Sequence, residues 1–504
     1  MRTRLSPALA AVAILTAATL SAATRLVTAG GADSGNCTVT PCATLTYAIG
    51  QASGGDTISV GAGTFANAGA AVVIDKGVIV AGAQAGIDAR RRAATPESIL
   101  TAPVRMTANS AVLDGFTVSC GACNPPLCGA QCGFGVVTSS LSSGYSVVNN
   151  VITGNATGVM FGSSGALTST LQFNDIFNNN TPGPGPGSYG IFTDISVSNA
   201  VVDSNRFAGH SFAQVDFLAI PPFPAATVTI ANNSFPLGAA DGTAVVLIGN
   251  SGSVISGNSV TGGGSSSPGA IFLAGGNNNV SVTGNIITGT PSAAVIIFNF
   301  AAFLGVPSNG LITVNGNTLT GNLRGVDVGG GNSVPIEMHF NRIVANAIDV
   351  AATFAINGEN NWWGCNAGPA ACAVVAAAVD LDPWLVMDIA AMPADITMLQ
   401  TSVVTADFNQ NSNGAAVTGI PDGTGIFFSA VGGTVVGAGN ILGGAASTIF
   451  TPTVFAPATV TASLDDQTVT AAIMLIGSLP ALSTALLALL GALFAGIALL
   501  VLRR

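Results

Sequence analysis

An asparagine recurs through the middle of this chain at intervals too regular for an ordinary globular domain. The stretches NNVITGN, FNDIFNN, SNRFAGH, NNSFPLG, GNSVTGG, GNIITGT, GNTLTGN and FNRIVAN share one pattern: Asn, any residue, an apolar residue, then a small or polar turn. The anchors are Asn150, Asn174, Asn205, Asn233, Asn258, Asn285, Asn317 and Asn341, spaced by 24, 31, 28, 25, 27, 32 and 24 residues. A small-Φ-x-Φ pattern follows each anchor (GVMF, QVDF, AVII, GVDV, AIDV), and a third pattern precedes it (TVTIAN, VSVTGN, LITVNGN). Each period therefore holds three short strands of alternating residues separated by turns, with no helical periodicity.

Strands this short have no partner within their own repeat and must stack on the equivalent strands of the next. The result is a parallel β-helix with coils ~4.8 Å apart and inward apolar residues in columns. An Asn held at one turn position stacks on its neighbours, its amide bonding along the column as in cross-β Asn ladders. That gives the repeated Asn a structural role in place of a catalytic one.

The pattern resembles the right-handed parallel β-helix repeats of the pectin-lyase-like superfamily over residues 43–363. The segment CTVTPCATLTYAIGQASGGDTISVGAGTF resembles that family's opening, which implies a capping helix over 43–52 and a first strand over 56–60. About 8 to 11 coils are expected. The run NNWWGC reads as the last Asn turn, Asn360 or Asn361, with Trp362 and Trp363 capping the open end; the same N-N-W-W-G run ends the β-helices this rod resembles. Tryptophan stacking on a sugar ring is the functional alternative.

The two termini carry the long apolar runs. Arg2 and Arg4 precede an apolar stretch ending in small residues, the layout of a secretory signal peptide. Ser21-Ala22-Ala23 and Val27-Thr28-Ala29 both suit cleavage. At the other end, Leu482 to Leu502 carries no charge and has the ~20 residues a membrane span needs, followed by Arg503 and Arg504. Pro480, the Leu-rich run and the Arg pair resemble IPTL-type C-terminal sorting signals, which implies a sorting enzyme; plain tail anchoring is the simpler reading.

From about residue 392 the Asn repeat gives way to TSVVTADF, DGTGIFFSA, STIFTPT, ATVTASL and QTVTAAI, alternating strands that suggest a small β-sandwich. The runs PDGTGIFFSAVGGTV and TVTASLDD resemble bacterial Ig-like domains of the invasin type, which implies a spacer. The expected organisation is all-β: signal peptide 1–29, cap 30–56, β-helix 57–387 with its C-terminal cap at 360–387, Ig-like sandwich 388–476, and a sorting or transmembrane segment 477–504.

Eight cysteines in an exported chain favour disulfides, and they fall in three local clusters. Cys37–Cys42 and Cys365–Cys372 are the expected pairs. Cys120, Cys123, Cys128 and Cys132 fit two further disulfides, with a four-thiolate zinc site as the alternative.

Charged residues are only 7% of the chain. Setting aside 1–29 and 477–504 leaves 8 basic against 23 acidic side chains. Such a surface repels nucleic acid, which is excluded as a partner. Glycoside hydrolysis uses paired carboxylates, and the resemblance implies lyases that combine Ca²⁺-binding carboxylates with an Arg or Lys base. Lys76 is the only lysine, and His210 lacks the second glycine of a GHG motif. The best constellation is Asp327 and Asp349, read as the same outward position of GVDV and AIDV on adjacent coils, candidates for catalysis or for a weak calcium site. Asp216, in QVDF, has the same register four coils earlier and is too distant to join them.

The expected protein is a non-enzymatic, exported β-helix at the cell envelope or outside the cell. It is held or processed at its C-terminus, has a structural, display or adhesive role, and takes a carbohydrate or a cell-surface protein as partner. The alternative is a Ca²⁺-dependent polysaccharide lyase or hydrolase acting on acidic polysaccharide.

Overall fold

The computed structural model describes residues 22–502 except 68–69, 94, 122–132, 183–186, 265–266, 377–378 and 478–483. The repeat winds into a parallel β-solenoid of about ten turns. Its first sheet runs from Thr24–Val27 to Ile356–Asn357, its second from Gly63–Phe65 to Arg342–Val344, and its third from Val72–Ile74 to Val375–Ala376. Neighbouring strands in each sheet come from successive turns and pair in parallel, as Val280–Thr283 does with Ile312–Asn315. Register turns alternation into columns: Ile255, Val282, Val314 and Met338 stack in line and are fully buried.

The turn from the first sheet to the second explains the Asn pattern. The residue before each anchor has a left-handed backbone: Asn149, Phe173, Ser204, Asn232 and Phe340 all have φ between 54° and 58°, and Gly257, Gly284 and Gly316 lie at 62° to 64°. That conformation favours Gly and Asn, which is why the repeat so often reads Gly-Asn or Asn-Asn. The anchors themselves form an unbroken ladder from Asn150 to Asn361. In a typical rung, Asn258 Oδ1 accepts from the backbone N–H (2.9 Å) and Nδ2 (3.0 Å) of Asn233, while Asn258 Nδ2 donates to Asn285 Oδ1 and to the Ile230 carbonyl, both 2.9 Å.

At the N-terminal end the helix Leu45–Gln51 covers the core with Leu45, Ala48 and Ile49, and Thr44 caps its start. Lys76 Nζ donates to the carbonyls of Ile49, Gly50 and Ala52, so the single lysine closes the helix C-terminus. A strand not anticipated in the sequence, Thr24–Val27, lies inside the stretch expected to be a signal peptide and pairs with Thr57–Val60. Cleavage at Ser21-Ala22-Ala23 leaves this strand in place, and cleavage at Val27-Thr28-Ala29 removes it. Residues 1–21, Cys123, Cys128, Cys132 and Arg503–Arg504 lie outside the described residues. Cys37 is bonded to Cys42 and Cys365 to Cys372.

After the solenoid come two sheets, one of the strands Leu385–Met392, Ser402–Asn411, Ala445–Pro452 and Gly433–Thr434, the other of Asp395–Ile396, Gln467–Leu475, Ala458–Leu464, Gly425–Val431 and Ala438–Asn440. They share one buried core that includes Phe408, Phe428, Phe450 and Val460. Trp363 belongs to the core of the rod, as a cap should, but Trp362 does not: it enters the core of this second unit, edge-on to Phe408 at 4.9 Å. The expectation that both tryptophans cover the rod is corrected, because successive residues of an extended segment point to opposite sides.

Among the described residues no helix is long and apolar enough to cross a membrane. The tail forms a helix over Thr484–Val501, 18 residues, about 27 Å at 1.5 Å per residue and short of a ~30 Å hydrocarbon core. The expected transmembrane helix over Leu482 to Leu502 is therefore not found at its full length.

Candidate functional site

An outward column of the third sheet runs in register through Phe192, Asp216, Val246, Phe272, Ile296 and Asp327. In the strand Ala213–Leu218, Val215 and Phe217 enter the rod core, which turns Asp216 outward. Outward does not mean exposed here. A second apolar layer, including Val246, Ile248, Phe272, Ala274 and Ile296, packs on the outside of the sheet, joined by Tyr189, Leu218 and Phe298.

That layer encloses a cleft of about 560 Å³. Its walls include Tyr189 and Phe212, whose ring centroids are 4.9 Å apart, and Phe272 and Phe298 at 5.3 Å. Phe300 extends the aromatic series at the rim. Lys and Arg are missing among the described lining residues. The lining hydroxyls of Thr243 and Ser267 bond to each other at 2.8 Å, and Ser267 Oγ also donates to the Gly269 carbonyl.

Among the described lining residues Asp216 is the only one of a charged type, and it is 2% exposed. Its Oδ1 is buried without a hydrogen-bond partner. Burial pushes its carboxyl well above the usual carboxylate range. Tyr189 is also raised, first by burial and then by the Asp216 charge. The cleft is an apolar, aromatic-walled site around one carboxyl with unused bonding capacity, the kind of concave site that holds small ligands.

The pair Asp327 and Asp349 does not form. Register places Asp327 opposite Ala351, two residues past Asp349. Asp327 is ion-paired with Arg324. Asp349 accepts from Asn346 Nδ2 and the Val374 N–H, both 2.9 Å, and burial raises its carboxyl. The premise of two stacked carboxylates bridging a calcium ion is corrected on this register. Among the described residues no group of three or more His, Cys, Asp and Glu is placed to hold a metal. His210 is a structural rung: Nε2 meets Asn179 Nδ2 at 3.1 Å, Nδ1 meets Gln214 Oε1, and burial holds its pKa down at about 4.

The sequence pointed to Asp216 only as an outlier of the Asp327 column. Val246 and Phe272 share its column, but Phe212, Ser267, Phe298 and Phe300 lie outside the strands and share no local period. The one available signal was the clustering of Phe298, Phe300 and Phe303 in an aromatic-poor chain.

No protein-family model and no curated protein matches the chain. Among solved structures it is similar to pectate lyase Pel9A, with 15% identity over 66% of this chain and 78% of that one and a TM-score of 0.35. It is similar also to an alginate lyase from Paenibacillus sp. str. FPU-7, with 13% identity, 71% and 99% coverage and a TM-score of 0.36. The enzymatically active domain of Bacteriophage CBA120 tailspike protein 2 gives 9% identity, 91% and 77% coverage and a TM-score of 0.37. Likenesses this distant leave the chemistry open, because function resides in the site.

Proposed function

We propose that this chain is an exported, surface-held β-helix protein that binds a ligand in the cleft around Asp216 and displays it without turning it over. The observation that carries this reading is the cleft itself: an aromatic-walled cavity with a single carboxyl. Glycosidases with a carboxylate mechanism use two, ~5 to 9.5 Å apart, and the described lining offers one. The acidic-polysaccharide alternative is disfavoured by the missing Lys and Arg in the same lining.

The remaining parts fit display. The first ~23 residues act as the export signal, the right-handed rod presents the cleft, and the two-sheet unit serves as an Ig-like spacer of the invasin type. The tail helix, with Leu489, Leu493 and Phe494 all more than half exposed, together with its flanking apolar residues, is the anchor or sorting signal.

Ligand-observed NMR on the full chain, with a panel of aromatic, amine and saccharide fragments, tests the binding reading. Fragments are expected to bind, to be recovered unchanged, and to lose binding in Phe298→Ala. Conversion of any fragment, or binding untouched by Phe298→Ala, overturns it. Envelope fractionation of the full chain against a chain ending at Gly477 tests the anchor, and equal retention of both overturns that part.

A further inference from the structure

The cleft around Asp216 has a combination of features that narrows its ligand. A carboxyl taken out of water without a partner is costly when ionised, and such a group usually meets a positive side chain. Here the described lining supplies none. The cleft that Asp216 lines has aromatic walls instead: Tyr189 packs on Phe212, and Phe272 on Phe298 and Phe300. Aromatic faces carry negative charge density and attract cations, most strongly where water is excluded.

Three ligand classes can be weighed against that geometry. An anion has no positive group to meet and is repelled by Asp216. A polyhydroxylated sugar needs several convergent hydrogen-bonding groups, and Thr243 and Ser267 are already bonded to each other. A ligand buried there would leave most of its hydroxyls unpaired, each at a cost. An organic cation satisfies both features at once, with its charge on the carboxylate and its hydrocarbon against the rings. The acidic balance of the chain, 23 Asp and Glu against 13 Lys and Arg, draws cations toward the protein in the same sense.

We infer that the Asp216 cleft is a receptor site for an organic ammonium group, held by the Asp216 carboxylate and the surrounding aromatic rings. This rests on the binding reading above and adds the class of ligand to it.

The site carries a pH signature. Without ligand the buried carboxyl holds its proton to a higher pH than usual. An ammonium group must displace that proton to form the ion pair, so its affinity rises with pH until Asp216 is ionised in the free protein. Other titratable groups near Asp216 leave this dependence in place. Tyr189, on the preceding turn, is raised above its ordinary value and stays neutral. Across the sheet its direct neighbours are Phe192 and Val246. In the adjoining turns, His210 is engaged with Asn179 and Gln214, and Asp241 Oδ2 accepts from the N–H groups of Gly209 and Gly238.

The test compares 2-phenylethylammonium with its neutral counterpart 2-phenylethanol, titrated by NMR into the full chain at pH 5 and pH 8. The ammonium is expected to bind at least tenfold tighter than the alcohol at pH 8, with the advantage shrinking at pH 5. Asp216→Asn is expected to erase the advantage while still binding the alcohol, which shows that the variant is folded and the cleft intact. If the alcohol binds wild-type protein as tightly as the ammonium, or Asp216→Asn keeps the preference, the cation assignment falls and the binding cleft stands. If neither probe binds wild-type protein, both fall.

Discussion

Trp362 and Trp363 are neighbours in the chain and belong to different cores. Trp363 ends the apolar column of the rod, while Trp362 lies in the core of the two-sheet unit and its Nε1–H donates to Asp465 Oδ2 at 2.7 Å. Asp465 is also ion-paired to Arg342, which sits on the last strand of the second sheet. A single carboxylate in a tight turn (φ 51° at Asp465) thus ties the rod to the unit that follows it.

Asp465→Ala should therefore loosen the junction. It leaves Trp362 Nε1 without an acceptor in a fully buried residue and Arg342 without its counter-charge, a combined cost of about 2–4 kcal/mol. Limited proteolysis is expected to cut faster within residues 379–384, and the two-sheet unit is expected to melt earlier. Asp465→Asn, which keeps an acceptor and tolerates the left-handed turn, should lie between the two. Unchanged proteolysis in the alanine variant would show that the junction does not depend on this residue.

The Asn ladder gives a second prediction. Asn258 is 1% exposed and bonds to both neighbouring rungs and to a carbonyl. Asn258→Ala strands a buried N–H, an amide and a carbonyl, and each such loss costs about 1–3 kcal/mol. A destabilisation of about 3 kcal/mol or more is expected in urea. Ser259→Ala, at the adjacent exposed position, should stay within about 0.5 kcal/mol. Equal midpoints for the two variants would remove the ladder from the list of what holds the rod together.

The ladder was legible because it is local chemistry repeated: a left-handed residue, an Asn, then an inward apolar residue. GVDV and AIDV match by their letters, yet their strands pair two residues out of that match. Asn322 and Asn346 form a rung of another ladder, 24 residues apart, and the same offset carries Asp327 to Ala351. A two-residue slip in a sheet keeps the facing and changes the neighbour, so the pattern alone gave no warning. The cleft was illegible for a different reason. Tyr189, Phe212, Phe272 and Phe298 line one cleft only because five successive turns of the rod stack, and the segments that carry Phe212 and Phe298 follow no repeat.

Asp216 should make stability fall as pH rises. Its carboxyl is raised in the folded protein by burial, so the folded state binds the proton more tightly than the unfolded state does. The contribution is complete below the unfolded value of ~4 and is lost as pH climbs through the folded value. Asp216→Asn removes this dependence. Urea midpoints of the two proteins should lie closest near pH 4 and separate in favour of the variant toward pH 8. Parallel curves, or a gap that widens toward acid, would contradict the buried, unpartnered state of this carboxyl.

If the chain is exported as proposed, the first strand limits where its leader can be cut. Val27 is fully buried, and Arg25 Nη2 bonds Asp56 Oδ2 at 2.8 Å, with only 10% and 5% of those two side chains exposed. Asp56 is held down at about 2, first by the backbone N–H groups of Ser53 and Ala23 and then by Arg25. Cleavage after Ala29 would strip away the strand Thr24–Val27, uncover the edge of the first sheet and leave Asp56 buried without its cation, a loss of about 3–5 kcal/mol from the broken pair alone. Cleavage after Ala23 keeps the strand and the Arg25 pair. On the proposed export reading, the intact mass of the processed protein should therefore place its N-terminus no later than Thr24. An N-terminus at Gly30 on a stable, folded chain would show that the rod begins at Thr57–Val60 and that the Thr24–Val27 strand is dispensable.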